Sequence, residues 1–570
     1  MWEKGVVATM FHLIPLFFHL SCFLSLTSIS ASEEDTVVVT STGPVKGKQV
    51  PAGSGSVTAY LGIPYAEPPL GKLRFQKPLP HQPWSHILEA TSFGNSCPQT
   101  NVSGFPDADI WVANTPFSED CLFLNIWVPR PRPSTPLPIL VWIQGMGFIT
   151  GTASLDIYNG ALLAAREKVI VASMNYRLGA LGFLYLPPYA PGNIGLWDQH
   201  LALKWIRDNA EVFGGNPAQL TLLGHSAGAA MVGFHLLSPI SQPLFSHAVL
   251  QSGVPNALWP WKSPEEARLE TVSVSSSVGC ANHSHSAVVS CLQGIEIGGK
   301  EFSHLATVNS LTTDGEFLPD EPRKLLETAS FRGKSVLTGI TADEGSTFVM
   351  LMYSDTKTNG GILTWKQFLQ GVMGTMKRGT DEAVAKTLAS KFSEGFHGPE
   401  RYRLAFAQYM RDYFFVCALD EFAAKIREAG RPAYVYSFDH RTSSSIWPEW
   451  VGMPYGAEIP YLFGSFASAL PTNQTVTEAE EVLSHRVMQY WSAFARNGSI
   501  LRSFCFVLLR TSLPVFVGIF LRDLGQRDSH SGTGCHRVFY VHVFHSSINS
   551  ILFVRSTDQM STGASFLVQW

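Results

Sequence analysis

The segment Gly224-His225-Ser226-Ala227-Gly228 constrains this chain more than any other part of it. It follows directly on the apolar run Leu220–Leu223 and leads into Ala229–Leu237, which reads as a helix. A serine between two glycines has a bland explanation, an idle residue in a turn. A buried strand on one side and a helix on the other point instead to a nucleophile elbow. The glycines allow the sharp turn, Ser226 is pushed out at its tip, and the helix start offers the N–H of Ala227 to a developing oxyanion. A serine hydroxyl is a weak nucleophile alone. It needs a base to take its proton and an acid to orient that base, and in elbow hydrolases the chain order is serine, acid, histidine.

The surrounding pattern supplies a frame for such a turn. Ile139–Ile143 and Val169–Ser173 are short apolar runs that suit buried strands, and Gln199–Phe213 has helical apolar spacing through Leu201, Leu203, Trp205, Ile206, Ala210 and Phe213. Strands alternating with helices predict an α/β fold, a large, mostly parallel central sheet with helices on both faces and its site at the carboxyl ends of the strands. With 41 Lys+Arg against 45 Asp+Glu, the net charge of −4 carries no basic surplus for nucleic acid and no acidic solvating tail. No metal cluster, phosphate loop or nucleotide motif is visible, so no cofactor is expected.

The two ends differ from the middle. Met1 to Lys4, the apolar Phe11 to Leu26 and the small residues Ser28, Ser30, Ala31 and Ser32 read as a secretory signal over 1–31. The rival, a membrane anchor, is disfavoured because the stretch is short against the ~20 residues of a span and is broken by Pro15. Four sequons, at Asn101, Asn282, Asn473 and Asn497, agree with a secreted, glycosylated chain. Of eight cysteines, Cys22 goes with the signal. Cys97 with Cys121, and Cys280 with Cys291, are placed to close two loops, and Cys417 needs a distant partner, Cys505 or Cys535. The body runs from 32 to 500. Residues 501–570 form an atypical tail with no Lys, no Glu, ten Ser and eight Phe. Its apolar stretch Phe504–Leu521 contains Arg510, which would cost ~2.5–3.5 kcal/mol at mid-membrane, so no obvious anchor is present.

Beyond the elbow, several segments carry a wider resemblance. They are Ala59-Tyr-Leu-Gly-Ile-Pro-Tyr-Ala-Glu-Pro-Pro-Leu-Gly71 with Leu73-Arg-Phe75, Ser118-Glu-Asp-Cys-Leu-Phe-Leu-Asn125, Asn175-Tyr-Arg177, Asn193-Ile-Gly-Leu-Trp-Asp-Gln199, Phe213-Gly-Gly-Asn-Pro217 and Gln251-Ser-Gly253. Together they resemble the cholinesterase/carboxylesterase (type-B) family from about Asp35 to Gly498, the vertebrate butyrylcholinesterase branch especially. The resemblance implies an α/β-hydrolase fold with a site at the base of a gorge, a small ester or choline-like ligand and an extracellular location. It does not give the oligomeric state. It places the nucleophile at Ser226 and the triad acid at Glu344, within Ala342-Asp-Glu-Gly-Ser346. It makes Trp111 the aromatic face for a quaternary ammonium, worth ~0.5–2 kcal/mol. Trp259 resembles an acyl-pocket aromatic. The bland alternatives, less favoured, are a surface carboxylate for Glu344 and a core aromatic beside a disulfide loop for Trp111.

Three departures bear on activity. The family's histidine segment reads here Trp447-Pro-Glu-Trp-Val-Gly-Met-Pro-Tyr-Gly-Ala-Glu-Ile459, with Tyr455 at the histidine position and Gly456, Glu458 and Ile459 still in register. A phenol of pKa ~10 is a poor base at neutral pH. The oxyanion loop, three glycines in the family, is Gly145-Met146-Gly147, so the expected donors are Met146, Gly147 and Ala227, with strain at Met146 if its φ is positive. His225 stands where cholinesterases carry a Glu, and the segment from Glu301 to Asp314 is short against the family's acyl loop. Losing the triad base typically costs ~10⁶ in kcat. Two functional readings therefore stand: a secreted serine ester hydrolase with severely reduced turnover, and a non-catalytic cholinesterase-like binding protein. A defective product with an incomplete fold is a third.

Overall fold

The computed structural model describes residues 36–100, 108–308, 311–328, 333–353, 356, 361–376, 380–469 and 476–500, and two short tail strands, Val517–Ile519 and Val541–Val543. The expected signal peptide, Asn101, Asn473, Cys505, Cys535 and the rest of the tail lie outside the described residues.

One large sheet organises the chain. Leu137–Ile143 has every residue buried, as does Ile170–Met174. Such continuous apolar runs belong to strands covered on both faces. Across the sheet the parallel strands run in the order Ala433–Phe438, Ser335–Thr341, His247–Gln251, Gly215–His225, Leu137–Ile143 and Ile170–Met174. Three antiparallel strands, Phe123–Arg130, Gly55–Pro64 and Lys48–Ala52, extend one edge. The two tail strands continue the other edge beyond Ala433–Phe438.

Connectivity decides where a site can lie. The chain leaves Leu137–Ile143, passes through helix Ala161–Glu167 to Ile170–Met174, and then crosses back through helix Ile194–Asp208 to Gly215–His225 on the other side. The loops after Ile143 and His225 therefore diverge at a point of reversal, where open α/β sheets form their crevice.

The expected elements appear with shifted ends. The helix expected over Gln199–Phe213 starts earlier, at Ile194, and stops at Asp208. Asn209 ends it: its amide donates to the Trp205 carbonyl at 2.8 Å and its side-chain oxygen accepts the Ser41 N–H at 2.7 Å, after which Glu211–Phe213 forms only a short turn. The strand expected at Leu220–Leu223 extends over Gly215–His225. Both expected disulfides form, Cys97–Cys121 and Cys280–Cys291. Cys417 opens helix Cys417–Glu428. Asn282 and Asn497 are both exposed. No helix among the described residues is long and apolar enough to cross a membrane.

Candidate active site

The elbow is built by close approach. Ser226 sits between strand Gly215–His225 and helix Ala227–Leu237 with φ +59° and ψ −125°, a conformation few L residues adopt. Its N–H donates to the Gln251 carbonyl at 2.8 Å, which pins the turn to the neighbouring strand. A Cβ at Gly145 would collide with the His225 carbonyl, and one at Gly228 with the Ile143 carbonyl. Glycine at these two positions is what lets the loop after Ile143 lie against the elbow.

That loop carries the expected oxyanion donors. Met146 has φ +74° and Gly147 φ +68°. The strain expected at Met146 is therefore present, because its Cβ occupies a left-handed conformation that glycine adopts freely. The Ala227 N–H lies at the first helical position and has no carbonyl four residues back within the helix. The Met146 side chain is half-buried against the second hydrophobic core.

Glu344 is the first residue of helix Glu344–Met352 and is fully buried, which excludes the surface-carboxylate alternative. Its Oε1 accepts the Ser252 hydroxyl at 2.5 Å and the Thr341 N–H at 2.8 Å. Its Oε2 is buried with no hydrogen-bond partner among the described residues. Burial, and then the neighbouring Glu458 carboxyl, push its pKa up to about 8, so near pH 7 the proton stays on.

Tyr455 occupies the position of the expected base. Its backbone N–H donates to Thr347 Oγ1 at 3.0 Å and its hydroxyl donates to the Ser252 carbonyl at 3.3 Å. The ring is walled by His225, Phe348 and Phe415 at centroid distances of 4.6, 5.0 and 5.5 Å. Burial and the Glu344 charge raise the phenol pKa well above its usual value, against a smaller lowering by hydrogen bonding with the Ser226 hydroxyl. With its one proton given to Ser252, Tyr455 can meet Ser226 only as an acceptor, and its raised pKa keeps the phenolate, the form that could act as a base, out of reach near neutral pH.

His225 does not take over that role in this arrangement. It is 3% exposed, its Nε2 has no partner among the described residues, and burial lowers its pKa to about 3. The ring lies against Tyr455 and beside Gly456. His440 pairs with Glu480 at 3.2 Å.

Trp111 ends a short turn, Ala108–Trp111, inside the Cys97–Cys121 loop. Gln99 ties that loop to the oxyanion side: its Oε1 accepts the Thr150 hydroxyl at 2.6 Å and the Gly151 N–H at 2.8 Å. Trp111 and Tyr455 line one cleft, open to solvent, together with Ser444, Trp447 and Phe466, and Ser226 is not among its lining residues. Trp259 does not line it. Its indole N–H donates to the Phe414 carbonyl at 3.3 Å and its ring packs near Phe148.

Sequence reasoning missed the partners that surround the acid. Ser252 was visible only as part of a family-like triplet, yet it holds Glu344 and receives the Tyr455 hydroxyl. Glu458 is fully buried and accepts from Gln251 at 3.1 Å and Tyr436 at 3.3 Å. The signal for both was positional: Ser252 follows the last residue of a parallel strand, and Glu458 lies three residues after Tyr455.

Comparison with known proteins agrees with this geometry. The profile of the carboxylesterase family matches residues 34–503. The chain is 43% identical over 492 residues to a cholinesterase of Mus musculus, covering 82% of this chain and 80% of that protein. It is 42% identical over 480 residues to an acetylcholinesterase of Bungarus fasciatus, covering 81% and 78% respectively. A mostly parallel sheet with a strained serine at its reversal point, matched over nearly all of the chain before the tail, places this protein in the carboxylesterase family of ester hydrolases, with an α/β-hydrolase fold.

Proposed function

We propose that this chain is a secreted, cholinesterase-like serine ester hydrolase whose turnover is severely reduced. In the reaction, the Ser226 hydroxyl attacks the ester carbonyl and the alcohol leaves, giving an acyl-enzyme that water then hydrolyses. The N–H groups of Met146, Gly147 and Ala227 face the oxyanion. The observation that carries the reduced rate is the Tyr455–Glu344 arrangement. The phenol donates to the Ser252 carbonyl while Glu344 Oε2 has nothing to orient. Neither acylation nor deacylation then has a general base. Exposed Asn282 and Asn497 and two disulfides support an extracellular, glycosylated chain, as the N-terminal signal-like segment does.

The test is hydrolysis of an activated acetate ester and of a choline ester by the secreted protein and by Ser226→Ala. Slow, Ser226-dependent release with a long-lived acyl-enzyme visible by intact mass supports the proposal. Fast turnover by the parent chain, lost in Ser226→Ala, would show that a base is present after all.

The second reading, a non-catalytic binding protein, is favoured by the cleft itself, which keeps Trp111 and its other aromatic walls whatever the state of the triad. Ligand affinity unchanged by Ser226→Ala, with no acylation under any condition, would select it. The separate idea of a defective product predicts failure to secrete as a monodisperse species.

A further inference from the structure

The residue just before the acid does not do what its place in the chain suggests. An Asp ahead of a helix ordinarily caps it, its carboxylate accepting an N–H of the first turn. Asp343 precedes helix Glu344–Met352 and makes no such cap bond. Its Oδ2 accepts the Met453 N–H at 2.9 Å instead. One turn further along, the buried Thr347 accepts the Tyr455 N–H on its Oγ1 at 3.0 Å. Positions four apart share a helix face, and alternate residues of an extended segment turn their N–H groups to the same edge. The two spacings match, so a pair of side chains meets a pair of amides.

The loop sequence Gly452-Met453-Pro454-Tyr455 suits this contact. Pro454, between the two amides, has no N–H to leave unmet and biases Met453 toward extended backbone. Gly452 has φ +65°, and a Cβ there would collide with the Asp343 carboxylate, so glycine is what lets the loop come this close. Arg441 holds the same loop through other groups. Its guanidinium donates to the carbonyls of Gly452 at 2.6 Å and Trp447 at 2.5 Å, and its charge and that of Asp343 attract each other.

We propose that Asp343 and Thr347 are positioning residues: from one face of the acid's helix they clamp the backbone of Met453 and Tyr455, and so fix where the side chain at position 455 stands relative to Glu344. The inference rests on the ester-hydrolase reading and deepens it by naming what sets the register between acid and base position. The clamp holds main-chain N–H groups, so it acts on whichever side chain occupies 455. It serves an imidazole there as well as it serves the phenol.

The test is made on the intact secreted protein in the Tyr455→His background. Thr347→Val keeps the shape of the side chain and removes the acceptor. It should lower kcat for an activated acetate ester by ~10–100-fold with KM within about twofold, because a slightly misplaced catalytic group is costly while substrate contacts are untouched. Thr347→Ser keeps the hydroxyl and should stay within about threefold of Tyr455→His. Asp343→Ala and Asp343→Asn form a second pair, since the amide oxygen of Asn still accepts, and they carry the same test if Thr347→Val does not fold. Histidine-selective carbon-13 NMR gives a readout that needs no turnover. The resonance gained in Tyr455→His should titrate twice, at ~6.5 with its own proton and again near pH 8 as Glu344 ionises. Thr347→Val should remove the second step, as Glu344→Gln does, and Thr347→Ser should keep it. Rate or titration unmoved by Thr347→Val, a second step missing from Tyr455→His itself, or an equal loss in Thr347→Ser overturns the inference. A second step present in Tyr455→His and lost in Thr347→Val, with no turnover in any variant, supports the clamp and sinks only the hydrolase reading.

Discussion

Replacing Tyr455 by His is the most informative single change. The backbone at 455 is already held by Thr347, and the ring sits in a box made by His225, Phe348 and Phe415. An imidazole is smaller than a phenol, so the box accepts it without a clash. One nitrogen would face the unpartnered Oε2 of Glu344 and the other would face Ser226, with which the phenol already interacts. Loss of a triad histidine costs ~10⁶ in kcat, and the remaining binding and oxyanion machinery retains ~10³–10⁴ over water. The gain on restoring it should be smaller than the full loss. Met146 still crowds the oxyanion loop, and Glu344 must give up a proton held up to about pH 8 before it can stabilise an imidazolium. We expect Tyr455→His to raise kcat/KM for an activated acetate ester by ~10³–10⁴, or about 4–5.5 kcal/mol of barrier. The rate should rise with pH through the imidazole pKa near ~6.5, because only the neutral ring is a base, and go on rising until Glu344 has ionised, near pH 8. The assay compares parent, Tyr455→His, Ser226→Ala and the double variant, with thermal unfolding to confirm that each is folded. A folded Tyr455→His no faster than the parent would refute the reasoning, as would a gain that survives Ser226→Ala.

Met146→Gly removes a Cβ from a φ of +74°. In the Tyr455→His background it should raise kcat a further ~10–100-fold through the oxyanion loop, with stability changing by less than ~1 kcal/mol as relief of strain offsets lost packing; progress curves and melting temperature check both. Glu344→Gln should flatten the pH dependence of stability between about pH 6.5 and 8. The folded state holds a proton there that the unfolded chain has lost, so parent stability falls as pH rises, by at most ~1.4 kcal/mol per unit from this group. Buried His225, with its pKa lowered to about 3, acts with the opposite sign below the ordinary histidine value, so urea titrations above pH 6.5 isolate the Glu344 effect. Joint replacement of Cys97 and Cys121 by Ser opens a loop with a sequence separation of 24 and should cost about 3 kcal/mol in chemical denaturation. The same change should weaken ligand binding, because Trp111 lies within that loop.

The fold was legible where one physical cause dominates. Leu137–Ile143 is apolar throughout because both faces are covered, and Gly224 to Gly228 admits the elbow because neighbouring backbone passes too close for a side chain. Helix ends were less legible. Asn209 stops its helix through contacts with Ser41, a residue 168 positions away that no local window includes. The site was legible as identities but not as a network. Tyr455 was found by register, yet its hydroxyl partner is Ser252, and the pKa of Glu344 is raised by burial first and then by Glu458. Trp259 keeps its ring near Phe148, one residue beyond Gly147, while a carbonyl of Phe414 holds its indole N–H.

The pattern of unpaired atoms argues that the scaffold and the chemistry have separated at one residue. Glu344 Oε2 and His225 Nε2 are both buried without partners among the described residues, and both residues face the Tyr455 ring by charge or by contact. Each such atom costs ~1–3 kcal/mol if left unmet. Tyr455, by contrast, is well placed: its N–H and hydroxyl are both satisfied and aromatic rings wall it in. Packing thus favours the tyrosine, while Glu344 Oε2 keeps an acceptor free for a ring nitrogen at position 455. A site shaped only for binding has no need of an ionisable side chain at position 344. The acid is instead retained, held by Ser252 and Thr341, directly beside a strained serine. That combination is why restoring one imidazole, and not rebuilding the pocket, is the change expected to recover turnover.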